Sequence, residues 1–324
     1  MKLPRRNFLY MAATTVALPA LMPIFAAAQP SPTPNAPMVP GPDPNTGTPS
    51  FRLPAGAIDT HAHIFGPVSK YPYSEDRTYT PPEAPLSRLR ALHAKLGVDR
   101  GVIVNATVYG LDNRVVIDAL GESNGTYKGV CNVDDTISDA ELQALNDAGV
   151  VGCRFTFGYR PGELDTAVFD RVVDKIKQFN WHVDLLLARN TLDALAPKLR
   201  KLPINFVLDS MGWVVSPAEG MNGQSFKGLI ELLRSDEKCR VKIMAFARLS
   251  ETGAPYKDVV PFARELIETA PNQVLWGTDW PHPGVKVMPK DADLVDLVPL
   301  YAPDAELQHK LLVENPARLY KFAN

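Results

Sequence analysis

Eight short apolar runs, each followed by a stretch with helical periodicity, set the strongest constraint on how this chain can fold. The runs fall at 57–62, 101–106, 127–132, 150–156, 181–187, 204–209, 240–245 and 273–278. Helical patterns lie between them near 85–97, 112–121, 137–147, 165–179, 191–200, 225–235 and 257–270, and two more follow near 292–300 and 305–322. Strands alternating with helices indicate a parallel sheet, because parallel neighbours need a crossover long enough to hold a helix. Eight such units predict a (β/α)8 TIM barrel over 57–324. A doubly wound open sheet is the rival. No Gly-x-Gly-x-x-Gly turn supports the dinucleotide site such sheets carry.

The 56 residues before the first run read differently. Arg5-Arg6-Asn7-Phe8-Leu9 resembles a twin-arginine export signal, an apolar stretch follows from Tyr10 to Phe25, and Ala26-Ala27-Ala28 offers a small-residue cleavage site. Pro19 and Pro23 break the stretch, so residues 1–28 read as a cleaved signal peptide rather than a stable membrane anchor. The export machinery is then a partner and the periplasm the destination. Residues 29–56 are rich in Pro, Ser, Thr, Asn and Gly and read as a flexible linker outside the fold. The chain carries 34 Lys and Arg against 36 Asp and Glu, and this balance, with no basic run in the sequence, gives no sign of a nucleic-acid-binding surface. Cys131, Cys153 and Cys239 have no CxxC spacing and read as buried small hydrophobes.

Chemistry is expected at the carboxyl ends of the strands, where barrel active sites form. The first strand reads Ala57-Ile58-Asp59-Thr60-His61-Ala62-His63. Alternation along a strand puts His61 and His63 on one face, where two imidazoles can hold a metal or polarise an oxygen; a hydrogen-bonded core pair is the alternative. The eighth run ends Trp276-Gly277-Thr278-Asp279 before Pro281 and Pro283. First and last strands are neighbours in a closed barrel, so Asp279 should meet the two histidines.

Together these motifs resemble the amidohydrolase superfamily. Phe65-Gly66-Pro67, Tyr71-Pro72-Tyr73, Arg77-Thr78-Tyr79-Thr80-Pro81, the run from Trp276 to Pro283, and Asn315-Pro316-Ala317-Arg318-Leu319-Tyr320 are similar to the 2-pyrone-4,6-dicarboxylate lactonase branch, from about Ala57 onward. The resemblance implies a hydrolase of carboxylated lactones. It makes Arg154 and Arg160, six apart at the end of the fourth strand, and Arg248, after the seventh, holders of substrate carboxylate; a structural ion pair or a surface position is the other reading. It also makes the Tyr79 hydroxyl a substrate contact. Thr107, sharing a face with Asn105 at the end of the second strand, is a further hydrogen-bonding candidate, or satisfies a loop backbone.

The sequence departs from that branch after the sixth strand. Asp209-Ser210-Met211-Gly212-Trp213 has serine where the branch has histidine and tryptophan where it has arginine. Ser210 can hydrogen-bond a substrate oxygen but carries no charge, and Trp213 offers a stacking surface. The tyrosine usual near Leu186 is also missing. His182 reads as structural at the bottom of the barrel, His282 as a loop-shaping residue, and His93 and His309 as surface residues of helices.

The expected chemistry is hydrolysis with Asp279 as general base, taking a proton from water that attacks the lactone carbonyl. His61 and His63 polarise that carbonyl. No cofactor is required, although His61, His63 and Asp279 equal the three protein ligands of a catalytic zinc site and could hold one weakly bound divalent metal. A metal-dependent decarboxylase or hydrolase, a lactone isomerase using the same base, and a non-catalytic binder of organic acids are the rivals. The export signal makes its own prediction. Replacing Arg5 and Arg6 by lysine should leave the protein in the cytoplasmic fraction of a Gram-negative host, and continued appearance in the periplasm would contradict the signal.

Overall fold

The computed structural model of the chain describes residues 36–159 and 166–323. Eight parallel strands form one sheet in sequence order: β1 Ile58–Ala62, β2 Arg100–Val104, β3 Tyr127–Cys131, β4 Val150–Phe157, β5 His182–Leu187, β6 Phe206–Leu208, β7 Cys239–Ile243 and β8 Val274–Trp276. The β1–β8 seam closes through backbone bonds just past the strand ends. Asp279 N donates to His61 O at 2.8 Å and His63 N to Trp280 O at 2.7 Å. The expected (β/α)8 barrel is therefore present, and its closing seam runs through the residues singled out for chemistry.

The helices are α1 Leu86–Leu96, α2 Arg114–Gly121, α3 Asp139–Asp147, α4 Ala167–Ile176, α5 Leu192–Leu199, α6 Gln224–Ser235, α7 Phe246–Leu249, α8 Val260–Thr269, α9 Asp291–Asp296, α10 Val298–Tyr301, α11 Ala305–His309 and α12 Asn315–Tyr320. The long ones bury an apolar stripe on the strands, as Phe169, Val172, Val173 and Ile176 do on α4. Two packed regions result. The larger lies between strands and helices. The smaller brings Ile58, Val102, Val130, Val207 and Leu275 from five strands together with Tyr320 of α12 and with Phe322. Branched side chains from several strands fill such a barrel, so its interior is solid rather than a pore. Among the described residues no helix is long and apolar enough to cross a membrane.

Two expectations need correction. His93 is not on the surface. It is 3% exposed, with Nδ1 2.8 Å from the Tyr127 hydroxyl and Nε2 3.0 Å from Asp59 Oδ2. A helix position that looks polar from its spacing is here satisfied by a buried carboxylate. The proline-rich stretch is also not a free linker over its described part, 36–56. Val39 N donates to Thr80 O, Phe51 N to Asp296 Oδ1 at 2.8 Å, and Ala292 N to Thr46 O, while Phe51 and Leu53 pack on the core. Low periodicity hid this docking, because irregular backbone can satisfy its polar groups against a neighbour without any repeat. The proposed signal peptide lies outside the described residues.

Asp59 anchors β1 to its surroundings. Its oxygens accept from His61 N, Thr278 N and the Thr278 hydroxyl, and meet His93 Nε2. Burial pushes this carboxyl up, but the His93 and Thr278 bonds outweigh it and hold the pKa below the usual carboxylate value. A depressed native pKa adds stability that is present above the unfolded pKa and is lost as pH falls through the folded one. Asp59→Ala should cost about 3 kcal/mol in denaturant unfolding at pH 7. Asp59→Asn should lose less Tm than the parent between pH 6 and pH 3.

Candidate active site

The mouth of the barrel is built on backbone in an uncommon conformation. Ser210, Met211 and Trp213 after β6, Ala245 after β7 and Asp279 after β8 all have positive φ, between 52 and 63°. Non-glycine residues hold this left-handed region only where the surroundings enforce it, and such residues cluster at functional sites. At Asp279 the enforcing contact is its own N–H bond to His61 O, which sets the carboxylate over the β1 histidines.

His61 and His63 converge as expected. Their Nε2 atoms lie 3.2 Å apart, and each is 3.9 Å from Asp279 Oδ1. A register shift in the β1–β2 pairing between Asp59 and Ala62 accompanies the turn of β1 from His93 toward this centre. His63 Nδ1 sits 2.7 Å from Val104 O. Burial pushes the His63 pKa well below its ordinary value, and the neighbouring His61 and Arg154 push it the same way, so the ring is neutral at neutral pH.

Below the pair lies a charge cluster that sequence reasoning missed. Lys242 of β7 is 0% exposed; its Nζ hydrogen-bonds Asp184 Oδ2 of β5 and lies 3.1 Å from both His61 Nδ1 and Asp209 Oδ1. Asp209 Oδ2 also accepts from Arg154 Nε at 3.0 Å. Burial raises the Asp184 and Asp209 carboxyls, but Lys242 together with His182 at Asp184, and with His61 and Arg154 at Asp209, outweighs it, and both pKa values lie below the ordinary one. Asp184 and Lys242 stand inside apolar strings, Val183-Asp184-Leu185 and Val241-Lys242-Ile243. Their one available signal was a charge set between apolar neighbours in the middle of a strand.

Above the pair opens a cavity of about 860 Å³, within the usual size of a small-molecule site. His63, Asp279, Arg154, Arg248, Tyr79, Thr107 and Ser210 all line it, whereas His61 lies just beneath. Burial raises the Tyr79 pKa, so its hydroxyl keeps its proton. Asn105 turns instead to the Asp112 and Asn113 loop. Arg160 falls outside the described residues. The arginines differ from expectation in one respect. Arg154 is spent on Asp209, and Arg248 NH2 reaches Asp279 Oδ2 at 3.1 Å and Pro283 O, so both brace acids of the site as well as facing the cavity. Arg189, just past β5, was missed. It is exposed at the cavity wall with one long bond, to Val215 O at 3.4 Å, and Lys286 stands on the wall as well. His182 pairs with Asp184 at 3.2 Å and His282 with Asp291 at 2.9 Å, in keeping with structural roles.

The donor set can be tested for a metal. His61, His63 and Asp279 bring their ligand atoms within 4.8 Å of one another, as do His61, Asp184 and Asp209. In the second group the Lys242 ammonium already supplies the cation. The first is the set that could hold a metal, with one ligand atom from each residue, and Ser210 stands beside it in place of a histidine.

Comparison with known proteins agrees with this geometry. The amidohydrolase family model matches residues 58–322. The chain belongs to the amidohydrolase family. A 2-pyrone-4,6-dicarboxylate hydrolase of Comamonas testosteroni is 43% identical to this amidohydrolase over 288 residues, 85% of this chain and 93% of the relative. A 4-sulfomuconolactone hydrolase of Hydrogenophaga intermedia is 42% identical over 275 residues, 83% and 90% of the two chains. A ligand-free crystal structure from Agrobacterium tumefaciens superposes with a TM-score of 0.76 at 29% identity, covering 85% of this chain and 99% of that one. Arg189 generates a test. Its Ala variant should bind a small dicarboxylate such as malonate roughly tenfold more weakly by calorimetry, the worth of one charge-assisted hydrogen bond.

Proposed function

We propose that this amidohydrolase opens the ring of a carboxylated lactone by hydrolysis. The observation that carries the reading is Asp279, a buried carboxylate oriented by Arg248 and set 3.9 Å from each of two imidazoles at the base of a cavity. Arg154, Arg189, Arg248, Arg77 and Lys286 bring more positive than negative charge to the cavity wall, which favours an anionic substrate. Two relatives above 40% identity are named as hydrolases of a pyrone dicarboxylate and of a sulfonated muconolactone.

In the reaction, Asp279 accepts a proton from water as the oxygen attacks the lactone carbonyl carbon. The carbonyl oxygen gains charge, and the N–H shared by the His61–His63 pair turns to stabilise it. The acyl C–O bond then breaks, and the proton on Asp279 passes to the leaving ring oxygen. The new carboxylic acid releases its remaining proton to solvent, which leaves a carboxylate and a hydroxyl or enol on one opened chain. Tyr79, Thr107 and Ser210 hold neutral oxygens of the substrate, and the arginines hold its carboxylate. Trp213 replaces one cation with a flat apolar wall, so this substrate carries an apolar or unsaturated edge there. No metal takes part in this scheme. We also propose that the enzyme works in the periplasm, on the strength of Arg5-Arg6 and the apolar stretch behind them.

Acid release from a panel of pyrone carboxylates, muconolactones and sugar lactones tests the reading. Asp279→Asn should lower kcat by roughly a thousandfold on any lactone that turns over, within the range of positioned acid–base catalysis. Equal turnover by the variant would remove Asp279 from the mechanism. An unopened but rearranged lactone would favour the isomerase.

A further inference from the structure

The hydrogen bonds around His61 and His63 run in one direction, and both ends of the run are fixed by chemistry. At one end is the Lys242 ammonium, which has three N–H donors and no acceptor. It is fully buried on β7, with Asp184 Oδ2, Asp209 Oδ1 and His61 Nδ1 around it. Its 3.1 Å contact with His61 Nδ1 is a hydrogen bond only if that nitrogen offers a lone pair. A proton there would set two donors against each other among fully buried groups. Asp209 Oδ1, 3.3 Å from the same nitrogen, is the competing acceptor, but the ammonium stands nearer, at 3.1 Å, and itself faces that oxygen at 3.1 Å. At the other end is Val104 O, which can only accept, so His63 Nδ1 carries the proton of that 2.7 Å bond. His61 is then protonated on Nε2 and His63 bare on Nε2, which is what their 3.2 Å contact requires.

We propose that Lys242 is a positioning residue that holds His61 in the Nε2–H tautomer, so the pair meets its ligand with one donor and one acceptor. Asp184 and Asp209 hold the ammonium in place. A carbonyl oxygen entering the cavity takes the His61 N–H, and the freed His63 Nε2 accepts from the attacking water. The same arrangement withholds the second lone pair that a metal would need. The catalytic part rests on the lactone hydrolase reading; the tautomer does not.

The test is the ring 15N spectrum of the ligand-free full chain labelled in its six histidines, with His61 assigned through His61→Gln. In the parent at pH 7.5, His61 should show a protonated Nε2 and an unprotonated Nδ1, and His63 the reverse. In Lys242→Met, which keeps the volume but removes the donors, the His61 signals should move toward a protonated Nδ1. Zinc should be lost from the parent on dialysis and retained at up to one equivalent on this variant. Lys242→Arg keeps the charge and should keep the parent tautomer. If Lys242→Met does not fold, the parent spectrum and Lys242→Arg decide. A protonated His61 Nδ1 in the parent, or an unchanged tautomer in folded Lys242→Met, would overturn the proposal. Loss of lactone turnover with the tautomer intact would instead count against the hydrolase reading alone.

Discussion

The β1–β8 seam is the constraint on which the rest of this structure depends. A barrel of parallel strands has no stable edge until its last strand bonds to its first. Here the closing bonds come from His61, His63, Asp279 and Trp280. The backbone that seals the barrel is therefore also the backbone that sets two imidazoles and a carboxylate within 4 Å of one another. Asp279 adopts its positive φ because this seam holds it there.

Closing the barrel also brings charge into its axis. Asp184, Asp209, Lys242 and Arg154 are all buried, from β4, β5, β7 and the end of β6. Two positive and two negative groups balance, and each has a partner of opposite sign within about 3 Å. Removing any one strands the others, which costs about 3–5 kcal/mol in buried pairs. Burial alone would favour neutral acids; the paired cations keep them ionised. The cluster thereby gives the mouth a polar floor of paired charges.

Much of this was legible in the sequence. All eight strands fall within a residue or two of their expected places, because strands buried on both faces are nearly continuous apolar runs. His61, His63 and Asp279 were legible because strand alternation and barrel closure are geometric rules. Lys242 and Asp184 were not, since one charge in an apolar strand does not say which face it occupies or what it meets across the barrel. Arg189 was hidden in a loop, where position depends on the turn rather than on a period. His93 and the 36–56 stretch were misread for the same reason: a polar or irregular residue is exposed by default, and only the fold supplies its buried partner. The resemblance supplied what spacing could not, the expectation that the cavity takes an acid-bearing lactone.

The central claim is that the site adds water across an acyl–oxygen bond. Turnover of an accepted lactone in 18O-labelled water, followed by mass spectrometry of the product, tests it most directly. The account predicts one 18O in the newly formed carboxylate and none in the freed hydroxyl. A product of unchanged mass with no label, still carrying its ring, would contradict it and leave proton transfer within the lactone as the reaction.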